Sequence, residues 1–220
     1  MQLSFPFQTS SQENLFKEED FLPLSENSSA VDFCKKFFSQ KNFSSSGFQS
    51  FVLQGEEASG KSHLLHIFAK KSCAEFIKKE AIEGLNLAEL FLQNQFYILE
   101  NIDEIANEEL LLHVINSASE AGAFLALSLK ATPQFKLKDL ASRFKNIFTV
   151  SIKNIGEESS KLLLSSQLSR RQINVSRQIV EHVVRDFERS YKSVLSAAKY
   201  LEFLTNEKGS ALKLSDIRKT

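Results

Sequence analysis

Apolar positions in this chain follow two spacings that take turns along its length. Short continuous apolar runs occur at Phe51-Val52-Leu53, Phe96-Tyr97-Ile98-Leu99, Ala123 to Leu129 and Phe148 to Ile152, with a weaker one at Cys73 to Ile77. Such runs, bounded by polar or turn residues, are what strands buried on both faces look like. Between them the apolar spacing lengthens to that of a helix. Helices are predicted over about Ser28 to Gln40, with Asn27 or Ser28 as cap, and over His63 to Lys71, Leu87 to Gln93, Glu108 to Ala121 and Leu137 to Phe144. In the fourth of these, Leu111, Leu112, Ile115 and Ala118 fall on one face. Strand alternating with helix predicts an α/β domain, a parallel sheet covered by helices on both faces.

Past Lys153 the strand signal stops. Glu157 to Leu168, Ser176 to Glu188 and Ser193 to Thr205 read as helices, and Leu214 to Arg218 as a short strand or a helical end. The chain therefore divides into three parts. Residues 1–12 form an N-terminal peptide and spacer, 13–153 the α/β core, and 154–220 a small all-helical subdomain. Ser44-Ser45-Ser46-Gly47 marks a break before the first strand.

Composition narrows the partners. The chain has 220 residues, 42% of them hydrophobic and 20 of them Phe, enough for a sizeable core. Lys plus Arg and Asp plus Glu both number 27, so no broad basic face is implied and direct sequence-specific grip on DNA is not expected. Cys34 and Cys73 are not spaced as a zinc or redox pair and read as two buried thiols in a reducing compartment. No apolar run approaches a membrane span and the N-terminus lacks a secretory pattern; a cytoplasmic protein with no membrane association is expected.

The densest chemistry lies directly after the first strand. Gly55-Glu56-Glu57-Ala58-Ser59-Gly60-Lys61-Ser62 fits the phosphate-loop template G-x-x-x-x-G-K-[ST]. Strand before and helix after give the template its context. Glycine lets backbone N–H groups converge on phosphate oxygens, and the helix start adds its positive end. Gly55, Ala58, Ser59, Gly60, Lys61, Ser62 and His63 are the candidate nucleotide-binding residues, for ADP or ATP. Lys61 reaches the outer phosphates, and Ser62 holds Mg²⁺. Glu100, at the tip of the Phe96–Leu99 run, is the second candidate for Mg²⁺. The position after it, where an activating acid is needed, is Asn101, and an amide cannot take a proton at neutral pH. Asp103 and Glu104 follow, and turn geometry is expected to point them elsewhere. Hydrolysis by the chain itself is therefore left open and expected to be weak or absent.

Three further features carry alternatives. Arg143 is either a surface arginine or a cation for a γ-phosphate in a neighbouring subunit. Lys192, at the start of a helix in the last third, is either solvated or a cation turned toward phosphates. His63 and His66, three apart, read as helix-face histidines rather than a metal pair, and His113 and His182 carry no signal. At the N-terminus, Gln2-Leu3-Ser4-Phe5-Pro6-Phe7 alternates and cannot continue a helix through Pro6. Either it folds onto its own domain or it is a docking peptide.

Taken together these residues resemble the DnaA-related AAA+ proteins over almost the whole chain. Gly60-Lys61-Ser62-His63-Leu64-Leu65-His66 resembles that family's phosphate loop and following helix. Leu99-Glu100-Asn101-Ile102 resembles a Walker B variant of its regulators, and Leu140-Ala141-Ser142-Arg143-Phe144 resembles box VII. The resemblance implies an AAA+ core followed by a helical lid, with Asn27 near the nucleotide base, Lys192 at sensor 2 and Arg143 as an arginine finger acting in trans. It also implies that Gln2, Leu3, Phe5 and Phe7 bind the DNA polymerase III sliding clamp. Glu100 stands where the family has Asp, Lys192 where it has Arg, and Lys130 at or near sensor 1. The implied function is a nucleotide-binding regulator that, on the DNA-loaded clamp, promotes hydrolysis of DnaA-bound ATP and limits replication initiation. DnaA and the clamp are then its partners, with self-association left open. The alternatives are a self-sufficient AAA+ ATPase and a clamp-bound adaptor for which nucleotide is only a structural ligand.

Overall fold

A computed structural model describes residues 16–40, 49–82, 87–209 and 212–217. Gln2, Leu3, Phe5 and Phe7, and the break at 44–47, lie outside the described residues. The elements in chain order are α1 (Ser28–Phe37), β1 (Ser50–Gln54), α2 (Lys61–Ser72), β2 (Glu75–Phe76), α3 (Lys79–Ile82), α4 (Leu87–Leu90), β3 (Phe96–Leu99), α5 (Glu108–Glu120), β4 (Phe124–Leu129), α6 (Lys138–Lys145), β5 (Phe148–Ser151), α7 (Glu157–Arg170), α8 (Arg177–Asp186) and α9 (Tyr191–Lys208). They fall into two compact units. The first includes the sheet and α1 to α6; the second comprises Leu22–Glu26, Glu56–Ser59 and the chain from Lys153 onward.

The first unit is the expected parallel sheet with helices on both faces, in the order β2-β3-β4-β1-β5. The central strands β1, β3 and β4 are short apolar runs because both faces are covered, and the period of two sorts their side chains cleanly. The edge strand β5, expected to be buried on both faces, buries only Val150, because it has a neighbour strand on one side alone. Val52, Tyr97, Leu99, Leu125, Leu127 and Leu129 face a core completed by Leu111, Val114, Ile115 and Ala118 of α5 and by Leu140 and Phe144 of α6. The alternate residues Phe51, Phe96 and Phe124 meet the rings of α1 instead. Phe37 lies 4.5 Å from Phe51 and 5.9 Å from Phe124, and Phe96 stacks on Phe124 at 4.6 Å. Phe38 of this cluster stacks on Phe68 of α2. Much of the chain's phenylalanine thus fills one face, where flat rings pack in stacked and edge-on pairs.

The strand register fixes which residues share an edge. Gln54 is level with Leu129, and Leu99 with Leu127. The carboxyl ends of β1, β3 and β4 therefore emerge together, at the edge where open α/β sheets bind ligands.

Several boundaries differ from expectation. The strand expected over Cys73 to Ile77 is only Glu75–Phe76. Cys73 ends α2 in the left-handed conformation (φ 55°), whose reversal leaves room for only a short strand. Cys73 is exposed, not a buried thiol as expected, whereas Cys34 is buried and its thiol is pushed up to about 12. The short helix at Lys79–Ile82 has no counterpart in the sequence reading. Asn27 takes the position before α1 and is 3% exposed, but its side chain makes no capping hydrogen bond, because its backbone is helical (φ −107°, ψ −5°) where a cap needs extended geometry. Leu214–Asp216 is a single 3₁₀ turn rather than a strand.

In the second unit, α7 packs against α8 and α9. The start of α7 has no side-chain cap of its own, Gly156 being its N-cap residue. Glu26 supplies one from outside the helix. Its Oε1 accepts from the Gly156 N–H at 3.0 Å, and its Oε2 accepts from the Ser159 hydroxyl at 2.8 Å and the Ser25 hydroxyl at 2.9 Å. Burial acts to raise the Glu26 carboxyl, but these hydrogen bonds outweigh it and hold the group below the ordinary 4.5. A carboxylate at a helix N-terminus also meets the positive end of the backbone dipole. The depressed carboxyl stabilises the folded unit fully above 4.5 and loses that contribution as pH falls through its folded value. Glu26→Gln should therefore cost about 1 kcal/mol at neutral pH, the low side of a lost cap because the site is partly solvated. The difference from wild type should shrink below pH 4.5. Urea unfolding at neutral and acid pH checks this, and equal stability at pH 7 contradicts it.

Candidate functional site

The phosphate loop begins where β1 ends. The Gly55 N–H donates to the Leu129 carbonyl at 3.3 Å, which ties the loop's first residue to the neighbouring strand. Within the loop the Ser59 N–H donates to the Glu56 carbonyl at 3.2 Å, a tight turn. Two residues then take the left-handed conformation, Ala58 (φ 64°) and Gly60 (φ 94°). At Gly60 that angle is free of Cβ strain, and it is the angle rather than space that calls for glycine, since a Cβ would meet the Phe21 ring only at an ordinary contact distance of 3.5 Å. At Ala58 it costs about 1 kcal/mol or more, the kind of strain that collects at ligand-binding loops. Gly60 is the N-cap of α2, so the helix starts at Lys61 with its first N–H groups unpaired by the helix and its positive end toward the loop.

Lys61 is 6% exposed and its ammonium donates to the Gly55 carbonyl at 2.7 Å. A buried cation folded back over its own loop is held ready for an anion. Ser62, the next residue, hydrogen-bonds with the carboxylate of Glu100. Burial pushes the Glu100 carboxyl above the ordinary glutamate value, with the Ser62 hydroxyl and the Lys61 and Lys79 charges pulling the other way. Its Oε1 and the Oγ of Ser59 are buried polar atoms that no partner among the described residues satisfies. Native proteins seldom leave such atoms unpaired. A carboxylate oxygen left over beside a serine hydroxyl is a hard-oxygen donor set of the type that takes Mg²⁺ with waters, and a buried hydroxyl in a loop starting a helix suits a phosphate. The residues present fit both groups: Ser62 and Glu100 would hold the metal, and Lys61 with the loop N–H groups the phosphates. Among the described residues there is no cluster of three or more His, Cys, Asp or Glu arranged for a metal ion.

Asn101 is left-handed (φ 51°), a conformation asparagine tolerates. Its N–H donates to the Ser128 hydroxyl at 3.1 Å. Ser128 was not foreseen as a site residue, although it is the lone polar residue of the buried β4 run and is itself 0% exposed. It ties the tip of β3, and with it Glu100, to β4. Asp103 and Glu104 are held by other groups at the same edge of the sheet. Asp103 accepts from the Lys130 N–H at 3.3 Å, and Glu104 pairs with Lys79 and Lys130.

His63 and His66 are more enclosed than helix-face histidines. The His66 ring lies between Phe16 (4.4 Å) and Phe76 (4.1 Å), both nearly parallel to it, with its Nε2 4.0 Å from Glu100 Oε2. Burial, with the charge of His63, holds the His66 imidazole below 6.5. Nε2 of His63 lies 2.7 Å from the Lys17 carbonyl oxygen. No local pattern announces this sandwich, since its three rings come from three separate segments.

Lys192 is the second residue of α9. Its Nζ is 3.1 Å from Glu57 Oε2, while the Tyr191 N–H donates to Glu56 Oε1 at 3.3 Å. The second unit thus brings the middle of the phosphate loop to the start of α9, and the loop's two glutamates, unremarked in the sequence, answer that helix end. Arg143 lies elsewhere. It borders a hollow of about 250 Å³ with Gln49, Ser50, Asn146 and Phe148, residues at the amino ends of β1 and β5. The phosphate loop leaves the opposite end of β1, which alone separates the two by about 13 Å.

No protein-family model matches the chain and no curated protein matches its sequence. Solved structures do match it. Domain III of the Thermotoga maritima replication initiation protein DnaA has a TM-score of 0.72 at 15% identity, over 96% of this chain and 95% of that one. AMPPCP-bound DnaA from Aquifex aeolicus gives 0.66 at 12% identity, over 90% and 71%. The Thermotoga maritima RuvB Holliday junction branch migration motor gives 0.65 at 13%, over 91% and 69%. At such identities the likeness is one of fold: the chain has an α/β AAA+ fold like that of DnaA domain III.

The Ser128 bond can be tested. Ser128→Val removes the acceptor and leaves the Asn101 N–H without its partner, at an expected cost of about 1–3 kcal/mol. Ser128→Thr, which keeps the hydroxyl, should recover part of it. Urea denaturation measures both, and a Val variant as stable as wild type contradicts the assignment.

Proposed function

We propose that this chain is an Hda-like regulator: it binds ADP or ATP, docks on the DNA-loaded sliding clamp through its N-terminal hexad, and promotes hydrolysis of the ATP held by DnaA. The observation that carries the reading is the separation of Arg143 from the chain's own phosphate loop. Arg143 sits at the amino edge of the sheet and the loop at the carboxyl edge. A guanidinium there cannot serve the chain's own nucleotide, but it can serve one presented by another subunit.

The chemistry of the chain's own site supports the same division. Lys61 is buried and aimed at the loop, so the site is built to hold an anion. Asn101 follows Glu100 where a proton acceptor is needed to activate water, and it cannot be one. Ser62 and Glu100 would hold Mg²⁺, which would supply positive charge to offset part of the charge of the phosphates. Nucleotide in this site is held rather than turned over, and serves to order the loop.

In the partner's site, Arg143 adds planar positive charge to the γ-phosphate as water attacks, where charge spreads over the equatorial oxygens. The hexad would supply proximity: were it to dock as an extended segment, Leu3, Phe5 and Phe7 would share one side and Gln2 would fix register. No described helix is long and apolar enough to cross a membrane.

Two measurements test the reading. Lys61→Ala should abolish the calorimetric heat of ADP binding; no heat from the wild-type chain with ADP or ATP overturns the nucleotide assignment. Hydrolysis of DnaA-bound ATP with loaded clamp should fall by about 10³-fold or more in Arg143→Ala relative to the stimulated rate, as for other fingers in trans. Equal stimulation by the two proteins removes the finger role. Phosphate release by the isolated chain at rates comparable with the stimulated reaction favours the self-sufficient ATPase instead.

A further inference from the structure

We infer that Asn116 is the positioning residue for Arg143, holding the guanidinium in place while leaving its charge uncancelled. The inference rests on the reading of Arg143 as a cation acting in trans. Asn116 lies on α5 and Arg143 on α6, two helices packed against each other. The Asn116 Oδ1 accepts from Arg143 Nε at 3.0 Å and from Nη2 at 2.7 Å. Among the described residues no carboxylate forms an ion pair with Arg143.

The choice of acceptor matters. A guanidinium carries five N–H donors in a rigid plane. The fork on Oδ1 uses two of them along one edge, and three remain for phosphate oxygens. A carboxylate would grip the same edge more tightly and offset the charge a developing transition state needs. An amide oxygen orients without neutralising. Asn116 is itself well placed to be rigid. Its neighbours Ile115, Ser117 and Ala118 are buried at 7% exposure or less, so its backbone is fixed against the core. Arg143, by contrast, is at the sixth residue of an eight-residue helix and exposed. Without the fork a side chain of this length samples many rotamers, and ordering it falls on the reacting complex.

The reaction served is attack of water on the γ-phosphorus of DnaA-bound ATP. The new bond joins water oxygen to phosphorus, the bond to the bridging oxygen breaks, and ADP leaves with inorganic phosphate and a proton. Arg143 changes no bond in this step, so Asn116 acts only through where it puts the charge.

The test compares wild type, Arg143→Ala, Asn116→Ala and Asn116→Asp in DnaA-ATP hydrolysis with loaded clamp, as a function of the concentration of this chain. Asn116→Ala should lower the maximal stimulated rate about threefold to tenfold, the effect of ordering one rotamer-rich side chain, with the half-saturating concentration unchanged. Nitrogen-15 relaxation at Arg143 Nε should show new fast motion. Asn116→Asp, nearly isosteric and expected to fold, should keep Nε rigid and still lower the rate. The inference fails if Asn116→Ala keeps the full rate, if Nε stays as rigid as in wild type, or if the loss appears only as a raised half-saturating concentration. It fails equally if Asn116→Asp stimulates as wild type does. Should Arg143→Ala also stimulate normally, the trans reading itself fails; should Arg143→Ala abolish stimulation while both Asn116 variants keep it, only the positioning role is lost.

Discussion

Because every strand of the sheet runs the same way, the sheet has two unlike edges, and each chemical group in the first unit belongs to one of them. The carboxyl edge collects the chain reversals after β1, β3 and β4, and with them Gly55, Glu100 and Lys130. Backbone donors and the start of α2 can converge there because Gly60 takes a left-handed turn that a side chain would resist. The amino edge collects Gln49, Ser50, Phe148 and, through the end of α6, Arg143. An antiparallel sheet would mix these ends; a parallel one keeps the edge that carries the phosphate-loop sequence apart from the edge that carries Arg143. The alternation of side chains sorts the two faces in the same way, with a cluster of phenylalanine rings under α1 and α2 and a mainly aliphatic core, with a few rings such as Tyr97 and Phe144, under α5 and α6.

How much of this could be read beforehand follows from the range of the interactions. The phosphate loop is legible because its template is local: strand, glycines, Lys61, Ser62 and helix lie within one stretch. The buried strands are legible because both-face burial leaves a continuous apolar run. Interactions between distant segments left no such trace. The pairing of Lys192 with Glu57 joins residues 135 apart, and the sandwich of His66 between Phe16 and Phe76 draws on three segments. The rings were visible in the sequence but their meeting was not. Ser128 is the intermediate case. A single hydroxyl in a run otherwise apolar is a signal, because a buried polar group needs a partner, yet the partner, the Asn101 N–H, is set by register rather than by pattern.

Backbone geometry explains two departures from expectation. Cys73 reads as strand because it is apolar, but it closes α2 with φ 55°, and the turn exposes it. Asn27 stands at the N-cap of α1 as its identity suggests, but its backbone is already helical and its side chain makes no capping hydrogen bond. Residue type alone carries the preference for a conformation; whether the chain adopts it depends on what the neighbouring element requires.

Lys61, Lys130, Arg143 and Lys192 differ in what meets their charge. Lys61 is buried and donates to a carbonyl of its own loop. Lys192 is met by Glu57, and Lys130 shares Glu104 with Lys79. Each of these has an anion or a binding loop of its own chain as partner. Arg143 is forked on a neutral amide at the other end of the sheet. A cation kept ordered by a neutral acceptor retains its full field toward whatever approaches, whereas one paired with a carboxylate has much of that field cancelled at close range. A protein that only stored nucleotide would gain nothing from such an arrangement at the edge remote from its loop. On the proposed reading, charge is supplied to a nucleotide held by another subunit; that role needs the cation at this edge, and a neutral partner would let order and charge coexist.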